Sequence, residues 1–482
     1  MSLLLLTTPD QHNYDDPSVD LKERALNRWL NELPLFNYSD TARQIRERLE
    51  AFNAQKMPIK QRINLLELYR KPVERLFSAV DIKQLIKQIQ QSDEQNEFID
   101  QVGLLFATLA DGYKLVVMEG YRNKLVPSKD KLLLLAIFRS MEQITLGLLH
   151  TYRYYGPVPP FALLELHQLY YYAEQSGCEN TPAIGRRDSS TTANLYKRVM
   201  LLTISDPFRL GENELLPLFQ AYLELAPLCR IDSAEAAKCQ GSFLIDLNGD
   251  SPPRGCKEGD VERAEVPRIY DIGPLLDELE QRIENGHEKQ AEPMLARLSS
   301  QHRGQEQRKL PRESAERYVS LIVGLEGICD YLTSHRESLL SSWRVVNEHN
   351  EGNQLSSTTS SGVEIHVGEV IAMPVPDDNP PQLATVRWLK NDGTGHIEIG
   401  IAFLDGNATP THCGYDDEPA RASLFLKAQP EIGLPTTMIA AKGIYQKGRQ
   451  LHLTAVTGQR VKAKAGSSLV QTQRFDQFTL HK

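Results

Sequence analysis

Two arginines four residues apart, Arg308 and Arg312, stand in the run Arg308-Lys309-Leu310-Pro311-Arg312. In an extended segment such residues lie roughly 13 Å apart on the same side of the chain, since side chains alternate between faces. Guanidinium groups so placed suit a strap that grips phosphates through paired hydrogen bonds and stacks on purine rings. A different course is open to the same residues. Pro311 can also begin a helix through Arg317, which would leave both arginines in solvent. Further on, Trp343-Arg344-Val345-Val346-Asn347-Glu348-His349-Asn350-Glu351-Gly352 carries apolar residues into a polar turn that ends in glycine.

Other reactive residues make no constellation. The chain contains no glycine-rich loop followed by Lys-Ser or Lys-Thr, no His-Glu-x-x-His and no Gly-x-Ser-x-Gly, so it reads as a binding protein rather than an enzyme. His150 and His167 fall on leucine-rich helix faces, where satisfied core histidines are expected. Asp246-Leu247-Asn248-Gly249-Asp250 lacks the glycine and distal glutamate of a calcium loop. The six cysteines are scattered without a close pair. That spacing fits neither a disulfide framework nor a zinc knuckle, and the expectation is reduced thiols in a cytoplasmic protein with no cofactor and no metal.

The elements that must position these residues fall into three stretches. Residues 1–230 carry apolar stripes at three- and four-residue spacing, with prolines between the helices or at their starts, which predicts an all-α bundle or helical array after a loose lead-in. The clusters Tyr152-Arg153-Tyr154-Tyr155 and Tyr170-Tyr171-Tyr172 offer either a partner-binding surface or rings divided between core and helix end. Residues 231–305 read as a connecting region with one short strand near Phe243–Leu247 and two helices, ending in a polar boundary at 299–309. Residues 306–482 hold short β-branched runs bounded by Gly, Pro, Asn or Asp, as in a small barrel with extra C-terminal strands. The fold class expected is multidomain α+β. A net charge of −9 at pH 7 over 482 residues argues against a surface devoted to nucleic acid. No run is read as a membrane span, the apolar stretch 132–138 being too short.

In the order of its pieces, the stretch from about 306 to 405 resembles the PilZ family, bacterial receptors for cyclic di-GMP. The helical half resembles no family in its residues. The PilZ resemblance implies that Arg308 and Arg312 hold the dinucleotide. It further implies that Asn347, His349 and Gly352 occupy the family's second motif, Asp or Asn, any residue, Ser, two of any kind, Gly. An asparagine offers donor and acceptor to a guanine edge, and glycine permits a positive-φ turn. His349 departs from the usual serine, and an imidazole there either contacts the ligand or fills its pocket. The resemblance thus implies a cyclic di-GMP-binding effector coupled to a protein partner through the helical domain. The alternative is a non-enzymatic interaction scaffold with a degenerate PilZ-like domain.

Overall fold

The computed structural model describes residues 4–13, 21–33, 38–79, 93–185, 190–234, 239, 241–257, 259–286, 288–302, 313–336, 338, 340–357, 364–375, 380–393, 396–416 and 418–481. They form two compact units. One holds Met1–Tyr154, Val158–Pro207 and Asn213–Gln307, and the other holds Tyr155–Pro157, Phe208–Glu212 and Arg308–Lys482.

The first unit is helical through Leu225. Among the described residues its α-helices up to that point are Glu23–Glu32, Tyr38–Asn53, Ile59–Ala79, Asp93–Arg122, Lys131–Arg153, Ala162–Gln175, Thr192–Ile204 and Leu215–Leu225, and Gly273–Glu284 and Glu288–His302 follow later in the same unit. The stripes predicted from spacing meet in a core that includes Leu26, Ile45, Phe52, Leu66, Tyr69, Phe106 and Tyr113. Caps set two of the starts: the Asp130 carboxylate accepts from the backbone N–H of Leu132 and Leu133, and Thr191 Oγ1 accepts from that of Asn194.

Several expectations fail in this unit. Pro72 lies inside Ile59–Ala79, where the spacing predicts no interior proline. At Pro72 the lost backbone bond is offset by burial of Tyr69, Val73 and Leu76 on either side of it. The lead-in is tied down between residues 4 and 13. His12 N–H donates to the Ala54 carbonyl at 2.6 Å, and Thr7 N–H donates to the Glu165 carboxylate at 2.9 Å. Glu165 in turn pairs with buried Lys114 at 2.8 Å. The tyrosine clusters are core: Tyr152, Tyr154, Tyr170 and Tyr172 are buried, and the Tyr170 ring stacks on Tyr196 with centroids 4.2 Å apart. Helices Glu97–Arg122 and Lys131–Arg153 are long and apolar enough to cross a membrane, whereas the sequence shows only the short run 132–138. Of each apolar window, 67% is buried inside the fold, as in the core helix of a bundle.

After these helices a four-stranded antiparallel sheet forms, in the order β1 (Arg230–Ser233), β4 (Pro267–Asp271), β2 (Phe243–Asp246), β3 (Arg254–Gly255). Cys239 and Cys256 are joined by a disulfide, which overturns the reading of all six cysteines as free thiols. The pairing is non-local. Cys256 N–H donates to the Ser242 carbonyl, and β2–β3 pairing folds the chain back so that residues 17 apart in sequence meet. Cys178, Cys229, Cys329 and Cys413 are free and buried. Asp246 and Asp250 serve backbone groups: Asp246 accepts from the N–H of Asn248, Glu265 and Val266, and Asp250 from those of Phe161 and Leu164. The expected boundary at 299–309 begins too early, since the helix Glu288–His302 continues to His302 with Leu298 buried.

The second unit contains two closed antiparallel barrels of six strands each. The first runs β5 (Glu313–Val323), β6 (Ser341–His349), β7 (Gly352–Ser357), β8 (Val370–Met373), β9 (Gln382–Asn391) and β10 (Ile397–Leu404), paired around the ring as β10-β7-β6-β5-β8-β9. Trp343, Val345, Leu355, Val386, Leu389 and Ile399 fill it. The strands expected as additions to this barrel close a second one: β11 (Ala408–Gly414), β12 (Arg421–Leu426), β13 (Thr437–Ala441), β14 (Gln450–Ala455), β15 (Arg460–Gln471) and β16 (Phe475–His481). Between β5 and β6 the helix Gly324–Ser334 brings Ile328 and Cys329 into a core shared with Ile322 and Val370 of the first barrel and Leu424, Ile439 and Phe475 of the second. An ionic junction accompanies it. Arg474 reaches Glu212 at 2.8 Å and Glu369 at 3.9 Å, and His366 pairs with Glu212 as well. Burial pushes the Glu212 carboxyl up, but His366 and Arg474 outweigh it and hold the group below its ordinary value.

Candidate ligand-binding site

The β6–β7 hairpin brings three of the expected site residues together. Its register pairs Asn347 with Gln354, Glu348 with Asn353 and His349 with Gly352. β10 continues the row by pairing Gln354 with Gly400, and β9 by pairing Gly400 with Trp388. Leu355, Ile399 and Leu389 point into the barrel core. Alternation therefore turns Gln354, Gly400, Glu398 and Trp388 to the outer face. Val345 is also in the core, and two residues further Asn347 would follow it inward in a regular strand. The register shift between Val345 and Asn347 re-aims the asparagine to the outer row, as bulges do.

A directed chain of hydrogen bonds crosses this row. Gln354 Nε2 donates to a Glu398 carboxylate oxygen at 3.3 Å, and Asn347 Nδ2 donates to Gln354 Oε1 at 2.7 Å. At the hairpin end, His349 Nδ1 accepts from the Glu351 N–H at 3.1 Å. Two polar atoms of the row, Asn347 Oδ1 and His349 Nε2, are buried and have no hydrogen-bond partner among the described residues. Buried polar atoms without partners are uncommon, and each calls for a group that completes it.

The glycines matter by close approach. Gly352 was expected to supply a positive-φ turn, but its φ is not positive. Instead, a Cβ at 352 would run into the Ile401 carbonyl oxygen. A Cβ on Gly400 would strike the Trp388 indole, which lies across the strand at that point. Lys390 Nζ stands 5.8 Å from the centroid of the same indole. The surface thus offers an amide, an imidazole, an aromatic face and a cation, a donor set for a planar, anionic, nitrogen-rich ligand.

Arg308 and Arg312 lie outside the described residues, which resume at Glu313 in β5, paired with Glu348 of β6. Gln354, Glu398 and Trp388 were missed by sequence reasoning. Their outward parity was legible in the alternation of each strand, but the pairing that puts them in one row was not. His150 and His167 are core residues. His150 Nε2 bonds to the Ile99 carbonyl at 2.8 Å, and His167 bonds to Tyr196 Oη at 2.6 Å and to the Ser251 carbonyl at 3.0 Å. Among the described residues no group of three or more His, Cys, Asp or Glu could hold a metal ion.

The architecture defines a class: a multidomain α+β protein in which a helical unit precedes paired antiparallel barrels, the first with a polar row on its outer face. Residues 24–236 match the family described as "Cyclic-di-GMP receptor FimW, N-terminal domain", and residues 409–482 match the FimW C-terminal β-barrel domain. The cyclic-di-GMP receptor FimW of Pseudomonas aeruginosa is 22% identical, in an alignment covering 98% of this chain and 92% of that protein. The chain is thus similar to FimW over almost its whole length, and its helical half, which resembles no family in its residues, matches the N-terminal domain described for that receptor. No solved structure matches the chain. The first barrel lies between the two matched regions.

Proposed function

We propose that this chain is a cyclic di-GMP-binding effector whose receptor surface is the outer face of the first barrel, with Arg308 and Arg312 as the phosphate-gripping strap. The observation that carries this reading is the hairpin that unites Asn347, His349 and Gly352 and holds two buried polar atoms without partners among the described residues. The PilZ-like order of pieces over 306–405 supports it, as does the name of the FimW relative. In this reading the helical unit engages a protein partner and the chain works in the cytoplasm. The Cys239–Cys256 disulfide is the observation that opposes the cytoplasmic part.

Titration calorimetry with cyclic di-GMP, with GTP as control, tests the reading. Arg308→Ala and Arg312→Ala are each expected to weaken cyclic di-GMP binding by about 2 kcal/mol through lost charged hydrogen bonds to phosphate. Equal affinity in wild type and both variants removes the arginines from the site. Absence of binding by wild type removes the receptor reading and leaves an interaction scaffold.

A further inference from the structure

The second barrel departs in charge from the rest of the chain. Over all 482 residues Asp and Glu outnumber Lys and Arg by 63 to 54, whereas residues 409–482 carry ten Lys and Arg against five Asp and Glu. Three strands adjacent around this barrel, β11, β14 and β15, contain no acidic residue. Leu451, Leu453, Ala463 and Ala465 belong to the barrel core, so alternation turns His452, Arg460, Lys462 and Lys464 outward, and all four are exposed. The register sets His452 opposite Lys462 and Thr454 opposite Arg460, and Thr454 in turn opposite His412 of β11. Along β15 the three cations stand roughly 7 Å apart. Among the described residues none of the three is held in an ion pair, and Asp476 of β16 is buried and paired with Lys442 at 2.7 Å. Cations on a strand commonly guard an open sheet edge, but this barrel is closed and β15 is paired on both sides. At the end of the barrel that carries the β14–β15 turn, the surface becomes apolar. Val456 in the turn and Val461, opposite Leu453, are 55% and 51% exposed. The turn is held tight, with the Gly458 N–H donating to the Ala455 carbonyl and the Ala455 N–H to the Gln459 carbonyl, each at 2.9 Å.

We propose that this face docks the protein on an anionic lipid bilayer, with Arg460, Lys462 and Lys464 against headgroup phosphates and Val456 and Val461 dipping below them. Attachment to a bilayer surface grows with the cations brought near anionic lipid and with the apolar area buried at the headgroup boundary. Both are present here, on one hairpin. An acidic peptide or a nucleic acid would engage the cations and leave the two valines in water, whereas a bilayer takes both. The division of charge also sets the orientation. The remainder of the chain carries the acidic excess and is repelled by the same surface, so the basic face of the second barrel is the one presented. Nothing in this docking depends on the first barrel binding a nucleotide.

The test is vesicle flotation with the full chain, on phosphatidylcholine alone and on phosphatidylcholine containing about one third phosphatidylglycerol. Wild type is expected to float with the anionic vesicles only, and to be released as salt rises from about 0.1 M to about 0.5 M. The triple variant Arg460→Gln, Lys462→Gln, Lys464→Gln is expected to lose affinity by roughly tenfold or more, and Lys462→Gln alone by about fivefold. The double variant Val456→Ser, Val461→Ser keeps every charge and is expected to lose about threefold or more. A control that removes three exposed cations from the first unit, Lys22→Gln, Arg24→Gln, Arg28→Gln, is expected to bind as wild type does. Failure of wild type to bind anionic vesicles, equal binding to both vesicle types, or an equal loss in the control overturns the docking face. Wild-type binding by the valine variant, with soluble polyglutamate displacing the vesicles, overturns the bilayer as occupant in favour of an acidic protein partner. If the triple variant does not fold by circular dichroism, Lys462→Gln decides, and wild-type affinity in it overturns the proposal.

Discussion

Gly352 and Gly400 shape the outer face of the first barrel by leaving room for a backbone carbonyl and an indole. A methyl group at 400 must displace the Trp388 ring. Gly400→Ala is therefore expected to shift the tryptophan emission and to lower stability by about 1–3 kcal/mol, measured by denaturant titration. An unchanged spectrum and midpoint would show that the indole does not lie across the strand. The spacing of Asn347, His349 and Gly352 is legible in the sequence itself, because one short segment carries all three. The role of Gly352 is not: local sequence suggests a turn, whereas the constraint is the Ile401 carbonyl of a strand far along the chain. Trp388, Gln354 and Glu398 escape notice for the same reason, since each belongs to a separate strand and only cross-strand register makes them neighbours.

Among the elements, the helices Lys131–Arg153 and Ala162–Gln175 each bury a histidine, and this gives the fold an acid limit. Burial lowers His150 from 6.5 to about 4, against a raising contribution from its bond to the Ile99 carbonyl. It lowers His167 likewise to about 4. The unfolded chain binds a proton at each site near pH 6.5, whereas the folded chain resists until about pH 4. Stability is thus full above about 6.5 and is lost as pH falls toward 4, by on the order of 3 kcal/mol for each histidine. Thermal unfolding at pH 7 and pH 4.5 is expected to show a large drop for wild type and a smaller one for His150→Gln. Equal drops would remove His150 as a source of acid sensitivity. Helix existence is well marked by apolar spacing, and strands by alternation. Interior prolines are not, because tolerance of Pro72 depends on the burial of Tyr69, Val73 and Leu76 against other helices.

For the whole molecule, the polar run between His302 and Glu313 is the expected site of first proteolytic cleavage, and limited proteolysis followed by mass spectrometry should return fragments ending there. Early cuts confined to the helix Asp93–Arg122 would contradict the division into two units. Alkylation without reductant should leave the four buried thiols Cys178, Cys229, Cys329 and Cys413 unlabelled in the folded state, and reduction should add Cys239 and Cys256. Labelling of Cys239 before reduction would mean that the bond is absent. The presence of a barrel is legible in the β-branched runs, but not the number of barrels. Closure depends on β11 pairing with β14 and β13 with β16, partners separated by other strands. The core joining the two barrels has a further consequence. Leu424, Ile439 and Phe475 are covered in part by Ile322 and by the helix that carries Ile328 and Cys329. The boundary at residue 409, drawn by family likeness, therefore cuts through a hydrophobic contact. The terminal segment is not a detachable part: expressed alone it would present a greasy patch to water, and within the full chain both barrels should melt in one cooperative transition.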